Sequence, residues 1–455
     1  MYPELGESER FPLLSEAGRR FLHRMRQDSH APHWNWPNGE QLDGPGLERV
    51  QKFAAALSQD RQIDAAGKPH WLGQFAEFCL AEVPFYRQRG RSGARFEDIP
   101  SCTREDLARA PWDFVPERES LDRLIVFSSS GVTGHPARLP THPWTAACGI
   151  PLIELAMSRF GLTFPRGVEQ MALTNIANYR GAYTTAIVVA YLEEAGCVRV
   201  NLREEDWRRT DDCREYLDRW RAPVMLGDPL AFAALPALNL RQPPQVLVSS
   251  VMQLNAGLAE RLRGHFGCEV LDLYAMTEAG IVAVGNDTGH EVLPHDLYVE
   301  VLDEHDQPSV AGQRGEVTIT GGRNPFGPLL RYRTGDFASL MRDDAKTTLV
   351  GLEGRPPVEF LAASGEVVHS MEISRCLRRL PLIQFQLHQD ISRGFRFRYR
   401  GDVLVAELQD SLYDLLGRSA TLIIEPLPQL ASGQRKVLQY STDLTRDTLV
   451  SPKNT

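Results

Sequence analysis

The chain lacks the features that mark membrane, disulfide-bonded and fibrous proteins. Its 455 residues include no run of the ~18 consecutive apolar residues that a membrane-spanning helix needs. The cysteines are dispersed without a C-x-x-C pair, so neither a disulfide framework nor a zinc ribbon is indicated. The N-terminus shows no basic segment followed by an apolar one, as a signal peptide would. We therefore expect reduced thiols, a cytoplasmic location and no membrane partner.

An excess of positive charge is also missing. Lysine and arginine number 50 against 59 aspartate and glutamate residues, which gives a net charge of −9. Because nucleic acids and anionic lipids bind positive surfaces, this balance disfavours both as partners. Hydrophobic residues make up 42% of the chain and charged residues 24%, as in ordinary globular proteins. A single core rarely grows beyond about 250–300 residues, so the length predicts at least two domains.

The apolar pattern of the first two thirds predicts an α/β body. Residues 47–57 repeat at helical spacing, and the short apolar run at 124–127 predicts a buried strand that leads into a loop. A strand at 245–249, a helix at 254–266 and a strand at 270–274 form a crossover unit. Part of the sheet is therefore expected to be parallel.

The pattern changes towards the C-terminus. Alternating apolar residues at 297–301 and 317–319 predict a hairpin with one solvated face. Arg355-Pro356-Pro357 interrupts the chain, and we place a domain boundary there. Beyond it the spacing predicts, in order, strands at 395–399 and 403–405, a helix at 411–416 and a strand at 421–424. The expected fold class is α/β, with a large N-terminal domain (1–353) and a small α+β cap (354–455).

The strongest local signal is the segment Ser128-Ser129-Ser130-Gly131-Val132-Thr133-Gly134-His135-Pro136. Small residues let a backbone approach a phosphate closely, and N–H groups and hydroxyls supply hydrogen-bond donors. The segment lacks the G-x-x-x-x-G-K-[ST] pattern of a Walker loop. Taken alone, a loop of this composition is more often only a connection.

Three later segments support a nucleotide site: 272–278, 331–336 and the loop 432–436, which could otherwise be a basic surface turn. Tyr274 to Glu278 follows a predicted strand, and open α/β sheets bind ligands beyond the carboxyl ends of their strands. There Tyr274 is a candidate to stack on a base, Thr277 to hydrogen-bond a phosphate and Glu278 to hold Mg²⁺. Asp336 is a candidate to accept both ribose hydroxyls. The alternatives without a ligand are a buried tyrosine, a solvated glutamate and a surface ion pair of Asp336 with Arg333.

Taken in order, these segments resemble the adenylate-forming superfamily of acyl- and aryl-coenzyme A ligases, peptide-synthetase adenylation domains and luciferases. The branch that they resemble within it is that of phenylacetate–coenzyme A ligase and CapK-like proteins. The similar segments are Val83–Arg87 (S-P-F-Y-R), Ile99–Leu107 (P-x-x-T-K-x-D-L), Ser129–Pro136 (S-S-G-T-T-G-K-P), Tyr274–Glu278 (Y-G-x-[ST]-E), Leu330–Asp336 (L-x-R-Y-R-T-G-D) and Gly354–Arg355 (G-R). They extend from about residue 75 to the C-terminus, and the first seventy residues carry no specific motif.

The resemblance implies a fold and a two-step reaction. The fold is a large multi-sheet domain that binds AMP and the acyl group, followed by a small mobile cap. A small carboxylic acid attacks the α-phosphate of ATP, which gives an acyl-adenylate and pyrophosphate. A thiol of coenzyme A or of an acyl-carrier protein then takes the acyl group. The resemblance also implies Mg²⁺, with Glu278 as its protein ligand.

The resemblance further assigns roles by position in the motifs. The catalytic set is Lys436, Gln434, Thr277 and Glu278. The nucleotide-binding set is Ser129, Ser130, Gly131, Thr133, Gly134, His135, Ser250, Tyr274, Thr277, Asp336 and Arg355. The acid-binding set is Asn175, Tyr179, Gly181, Val251, Met252 and Ala275. Apolar Val251 and Met252 predict an aromatic or medium apolar acid.

The sequence departs from the family at positions that matter for the chemistry. Gln434 stands where the family has a lysine that bridges the carboxylate and the α-phosphate, and a neutral contact is about half as strong as a charge-assisted one. Lys436 lies two residues further on and replaces that lysine only if the loop shifts. His135 replaces the lysine of the phosphate loop. Pro356-Pro357 replaces the hinge aspartate and stiffens the link between the domains.

Three functions therefore stay open. The first is an ATP-dependent acid–thiol ligase. The second is an acyltransferase that has lost adenylation and passes a pre-activated acyl group to a carrier-protein thiol or an amine. The third is a non-catalytic nucleotide- or acyl-binding protein on the same scaffold. The sequence leaves the acid, the acceptor and the oligomeric state open, with a homodimer among the options.

Overall fold

The computed structural model describes residues 5–37, 39–59, 63–64, 67–128, 137–286, 288–293, 296–343, 346–354, 358–428 and 437–445. Its α-helices are α1 Glu7–Arg10, α2 Glu16–Arg26, α3 Gly44–Leu57, α4 Leu72–Glu82, α5 Pro84–Arg87, α6 Arg104–Arg109, α7 Pro143–Ala147, α8 Gly149–Ser158, α9 Asp212–Arg219, α10 Pro229–Ala234, α11 Ala256–Phe266, α12 Ser370–Leu377 and α13 Val405–Leu416. Its strands are β1 Ile125–Ser128, β2 Arg138–Thr141, β3 Met171–Ala177, β4 Thr185–Val189, β5 Ala195–Asn201, β6 Val224–Gly227, β7 Val246–Ser249, β8 Glu269–Met276, β9 Gly280–Gly285, β10 His290–Val292, β11 Leu297–Leu302, β12 Arg314–Gly321, β13 Leu329–Arg342, β14 Thr347–Glu353, β15 Glu359–Leu361, β16 Val367–His369, β17 Leu382–Gln389, β18 Phe395–Gly401, β19 Leu422–Pro426 and β20 Tyr440–Thr442. None of the described helices is long and apolar enough to cross a membrane.

One continuous sheet of twelve strands forms the large part of the molecule, in the order β11-β12-β13-β14-β10-β9-β8-β7-β6-β3-β5-β4. Strands β5, β3, β6, β7 and β8 run parallel, and the others pair antiparallel. The predicted crossover unit is confirmed as β7–α11–β8, and α11 ends at Gly267, whose φ of 62° suits a glycine. The parallel half brings the carboxyl ends of five strands to one edge, where α/β sheets bind ligands.

The antiparallel half is more buried than its sequence pattern indicates. The predicted hairpin is confirmed as β11–β12. The expectation of one solvated face is wrong, because every residue of β11 is buried. The ring of Phe96 packs on Tyr298, and the guanidinium of Arg331 pairs with Glu300, so both cover the face that would otherwise meet water.

The strand at 124–127 also differs from its prediction. It exists as β1, but it pairs only with β2, in a separate antiparallel sheet of two strands. Phe127 is 41% exposed. The strand is not buried because it has no neighbour in the large sheet, although its apolar composition is that of a core strand.

The C-terminal part contains a four-stranded sheet in the order β19-β18-β17-β20, packed against α12 and α13. The strand predicted at 403–405 is wrong, so the predicted β-β-α-β order is instead β18-α13-β19 over these residues. Val405 begins α13, whose apolar Leu408, Leu412 and Leu416 face the core at helical spacing. The partner of β18 is β17, from earlier in the chain.

The predicted fold class is confirmed as α/β with a large sheet and a second, smaller sheet region. The strands expected in several sheets of the large part form one twelve-stranded sheet beside the β1–β2 pair. Strand β14 ends at Glu353 and β15 begins at Glu359, so the boundary proposed at residue 354 falls between the two sheet regions. The boundary and the mobility of the cap stay predictions.

Glu40 makes the stability of the fold depend on pH. Its two carboxylate oxygens accept the N–H of Ala190 at 3.0 and 3.1 Å. Burial raises the pKa of Glu40 from 4.5 to about 8, the Ala190 N–H opposes that rise, and the nearby Glu194 charge adds to it. The folded state therefore holds a proton on Glu40 that the unfolded chain has already released. This contribution to stability is fully present below about pH 4.5 and is lost as pH rises to about 8.

We expect Glu40→Gln to remove part of the loss of stability between about pH 4.5 and 8, because the amide does not titrate. The measurement is the urea unfolding midpoint across this range for the native chain and the variant. Glu48→Gln, on the exposed side of α3, is the matched control. Parallel pH profiles for the native chain and Glu40→Gln would contradict the assignment.

Candidate functional site

Tyr274 and Asp336 meet at the carboxyl end of the parallel strands. Tyr274 lies near the end of β8, and its hydroxyl donates to Asp336 Oδ2 at 2.6 Å. Burial raises the pKa of Tyr274 well above its usual range, and the carboxylate of Asp336 raises it further. The Asp336 N–H donates to Thr334 Oγ1 at 3.1 Å, which fixes the backbone of the loop. The two residues are far apart in the sequence, so β8 and β13 bring a ring and a carboxylate to one place.

Arg333 does not form the predicted alternative pair with Asp336. Its Nη1 contacts Glu316 Oε2 at 2.7 Å, and its Nε contacts Asp306 Oδ1 at 2.9 Å. The arginine therefore holds the loop before β12 and the neighbouring strand together. The role of Asp336 as a ribose ligand stays a prediction.

Glu278 is not the solvated residue of the alternative interpretation. Its side chain is buried, and Tyr332 Oη donates to Glu278 Oε1 at 3.4 Å. Thr277 beside it is exposed. Among the described residues, no group of three or more His, Cys, Asp or Glu side chains is arranged to hold a metal ion. The role of Glu278 as a metal ligand stays a prediction.

Nine predicted residues lie outside the described residues: Ser129, Ser130, Gly131, Thr133, Gly134, His135, Arg355, Gln434 and Lys436. Their roles stay predictions.

A cavity of about 100 Å³ opens at the carboxyl edge of the parallel strands. Four residues predicted from the sequence line it: Asn175, Tyr179, Ser250 and Val251. They come from the carboxyl ends of β3 and β7, which lie on either side of β6. Because β7 also pairs with β8, with Ser249 opposite Asp272, the cavity adjoins the strand that carries Tyr274. The structure therefore brings the predicted acyl and nucleotide residues to one edge of the sheet.

Three other predicted acyl residues do not line this cavity. Gly181 occupies a turn with a φ of 79°. Ala275 packs on the apolar cluster beneath β8. Met252 turns towards the C-terminal part, where Gln384 Nε2 donates to its sulfur at 3.8 Å. Their roles in acid binding stay predictions.

Val251 holds an unusual backbone conformation in the cavity wall. Its φ is 78°, and a β-branched residue rarely adopts the left-handed region. Such a conformation costs of order 1–3 kcal/mol and persists where the surrounding structure imposes it. The adjacent Ser250 N–H donates to Gly227 O at 3.0 Å, which ties the turn to β6. The Ser250–Val251 segment is therefore held in a defined shape.

Sequence reasoning missed Arg199 and the N-terminal segment. Arg199 lies on β5 and lines the cavity. The signal for it was an arginine inside the otherwise apolar strand Ala195–Asn201. Asn35 exchanges hydrogen bonds with Thr184, and Trp36 contacts the ring of Tyr183, so the motif-free N-terminus borders the same region.

Comparison with known proteins agrees with this arrangement. Residues 182–324 match the family model described as AMP-binding enzyme. The fold resembles 2-hydroxyisobutyryl-CoA ligase in the postadenylation state in complex with 2-HIB-AMP, at a TM-score of 0.61 and 16% identity over 93% of this chain and 94% of that one. An open conformation of that ligase in complex with 2-HIB-AMP and CoA gives a TM-score of 0.53 at 16% identity, over 91% and 99% of the two chains. No curated protein matches the sequence.

These matches confirm the predicted resemblance to the adenylate-forming superfamily. At 16% identity the structural likeness shows the fold. The finer placement in the phenylacetate–coenzyme A ligase branch stays a prediction.

Proposed function

We propose that the chain activates a carboxylic acid with ATP as an acyl-adenylate and transfers the acyl group to the thiol of coenzyme A or of a carrier protein. The observation that carries the proposal is the Tyr274–Asp336 pair beside a small cavity, at the carboxyl edge of a parallel sheet. Carboxylates are poor acyl donors, so the chemistry consists mainly of positioning the acid against the α-phosphate and neutralising charge there.

Each residue has a defined task in this proposal. Asp336 accepts the ribose hydroxyls, Tyr274 presents its ring to the base, and Thr277 donates to a phosphate. Glu278 is a buried oxygen donor of the kind that suits Mg²⁺, and it would hold the ion, which neutralises phosphate charge when bound. Asn175, Tyr179 and Val251 surround the acid. A cytoplasmic location and a homodimer stay predictions.

Carboxylate-dependent ATP–pyrophosphate exchange with a panel of acids tests the proposal. Exchange that appears only with an acid supports adenylation. No exchange in either the native chain or Gln434→Lys, despite nucleotide binding, would exclude the ligase. Acyl transfer from a thioester donor to a carrier-protein thiol would then establish the acyltransferase, which the glutamine at position 434 favours as the second candidate.

We expect Asp336→Ala to weaken ATP and AMP binding roughly tenfold or more, because the ribose hydroxyls lose a charged acceptor. Calorimetry on the native chain and the variant measures the effect. Tyr274→Phe is the matched control, since it removes the hydroxyl that contacts Asp336 but keeps the carboxylate and the ring. Unchanged nucleotide affinity in Asp336→Ala would refute the ribose assignment.

A further inference from the structure

Arg199 brings a positive charge into the cavity and forms no ion pair there among the described residues. It lies opposite Asn175 of β3 in the parallel register, so both side chains share one face and both line the cavity. Its Nη2 donates to Tyr179 Oη at 3.2 Å, and its Cζ lies 4.0 Å from the centroid of the Tyr183 ring. Within the described chain, Arg199 is in no ion pair with a carboxylate, and its Nε is buried without a hydrogen-bond partner.

The guanidinium of Arg199 therefore has an unused hydrogen-bond donor that a ligand could satisfy. A buried donor with no partner costs about 1–3 kcal/mol, and more when it carries charge. A phenol hydroxyl and a ring face are neutral, so neither contact supplies a negative charge to the guanidinium. The cavity also contains Asp228, but its carboxylate caps α10 by accepting the Ala231 N–H at 2.9 Å. A carboxylate entering the cavity would supply the missing acceptor and the opposite charge, in the fork geometry that arginine binds best.

The N-terminal segment holds the guanidinium in place before any ligand arrives. Trp36 contacts the Tyr183 ring at a centroid distance of 5.8 Å, and Tyr183 in turn stacks on Arg199. The Thr184 N–H donates to Asn35 Oδ1 at 2.8 Å, which ties this segment to the turn before β4. A positioned guanidinium loses little freedom on binding, so more of the interaction energy appears as affinity.

We propose that the substrate is a small dicarboxylic acid, an inference that rests on the proposed function. One carboxylate is activated on the Ser250–Val251 side of the cavity, and Arg199 binds the second carboxylate with Asn175 beside it. This class replaces the aromatic or medium apolar acid expected from Val251 and Met252. Val251 supplies one apolar wall, Met252 faces Gln384, and the arginine supplies the recognition.

Calorimetry with matched acids tests the inference independently of turnover. Succinate, glutarate and adipate are each compared with the monocarboxylate of equal chain length: butyrate, valerate and hexanoate. We expect at least one dicarboxylate to bind the native chain roughly tenfold tighter than its partner. Arg199→Met should abolish this preference, and Arg199→Lys, which keeps the charge but not the fork, should retain part of it. Arg180→Met, at an exposed arginine next to Tyr179, is the matched control and should change nothing.

Two results would overturn the inference: no dicarboxylate preference in the native chain, or a preference that survives Arg199→Met. Failure to fold in Arg199→Met leaves the native comparison and Arg199→Lys to decide. Pyrophosphate exchange with the same acids separates the inference from the proposed function. If only monocarboxylates support exchange, and substitution of Arg199 does not change its rate, the inference is wrong and the ligase proposal stands. If dicarboxylates bind in a way that depends on Arg199, but neither the native chain nor Gln434→Lys shows exchange, the ligase proposal is wrong and the inferred acid site stands.

Discussion

Replacing Gln434 by lysine should raise the rate of acid-dependent ATP–pyrophosphate exchange by about a hundredfold or more. In the superfamily that the chain resembles, a lysine at this position bridges the attacking carboxylate and the α-phosphate. An amide donates a hydrogen bond but adds no positive charge where negative charge develops, and losing one such transition-state contact typically costs about 10²–10³ in rate. The gain should appear in kcat more than in the KM for ATP, because the contact forms in the transition state.

Lys436→Ala shows whether the native chain already has a substitute. If native exchange is present and Lys436→Ala abolishes it, the lysine two residues away performs the task, and Gln434→Lys should then add little. If native exchange is absent and Gln434→Lys restores it, the nucleotide site is intact and adenylation alone is disabled. Arg435→Ala, between the two positions, controls for a general loss of positive charge in this loop. Exchange that none of these variants changes would contradict a catalytic role for the segment.

Arg331→Met should lower the free energy of unfolding by about 3–5 kcal/mol, because it leaves the Glu300 carboxylate buried without its partner. Arg331 is 1% exposed, and its Nε contacts Glu300 Oε1 at 3.2 Å. Its Nη1 donates to the carbonyl oxygens of Glu97 and Ile99, each at 2.7 Å, and its Nη2 donates to Asp306 O at 2.9 Å. Burial raises the pKa of Glu300 even beside this cation, so losing the cation forces the carboxyl to take up a proton or remain uncompensated.

Urea unfolding measures the effect, and two further variants serve as controls. Arg396→Met removes an exposed arginine that pairs with Glu425, and it should cost no more than about 1 kcal/mol. The double variant Glu300→Leu with Arg331→Met should be more stable than Arg331→Met alone, because no buried charge is left behind. Equal midpoints for Arg331→Met and Arg396→Met would show that the buried pair contributes nothing beyond a surface pair.

The two arginines of the Leu330–Asp336 motif therefore differ in role from its aspartate. Arg331 and Arg333 join loops and strands, whereas Asp336 lies at the site with Tyr274. The motif appears in the sequence as one unit, and only the tertiary contacts of its members separate the arginines that join loops and strands from the aspartate that meets Tyr274.

The sequence by itself determined the features that depend on short stretches of chain, namely individual helices, strands and the order of the motifs. The spacing of apolar residues predicted α11 and the crossover unit around it, and the order of the motifs predicted the resemblance to the adenylate-forming superfamily. Local spacing suffices here because helices and strands repeat every 3.6 and 2 residues. It failed for β1 and for residues 403–405, where the deciding factor was which strand lies alongside.

The tertiary structure decided which distant residues meet. The sheet order places β3 between β5 and β6, so Asn175 faces Arg199 across one pair of strands and β6 on the other side. Nothing in the local spacing reveals that an arginine on β5 enters the cavity, or that Glu300 on a seemingly solvated face is buried. Strand pairing is set by burial of the whole sheet surface and not by the residues of one segment. The sequence thus indicates a chemistry of activation, while the fold positions the arginine from which we infer the acid.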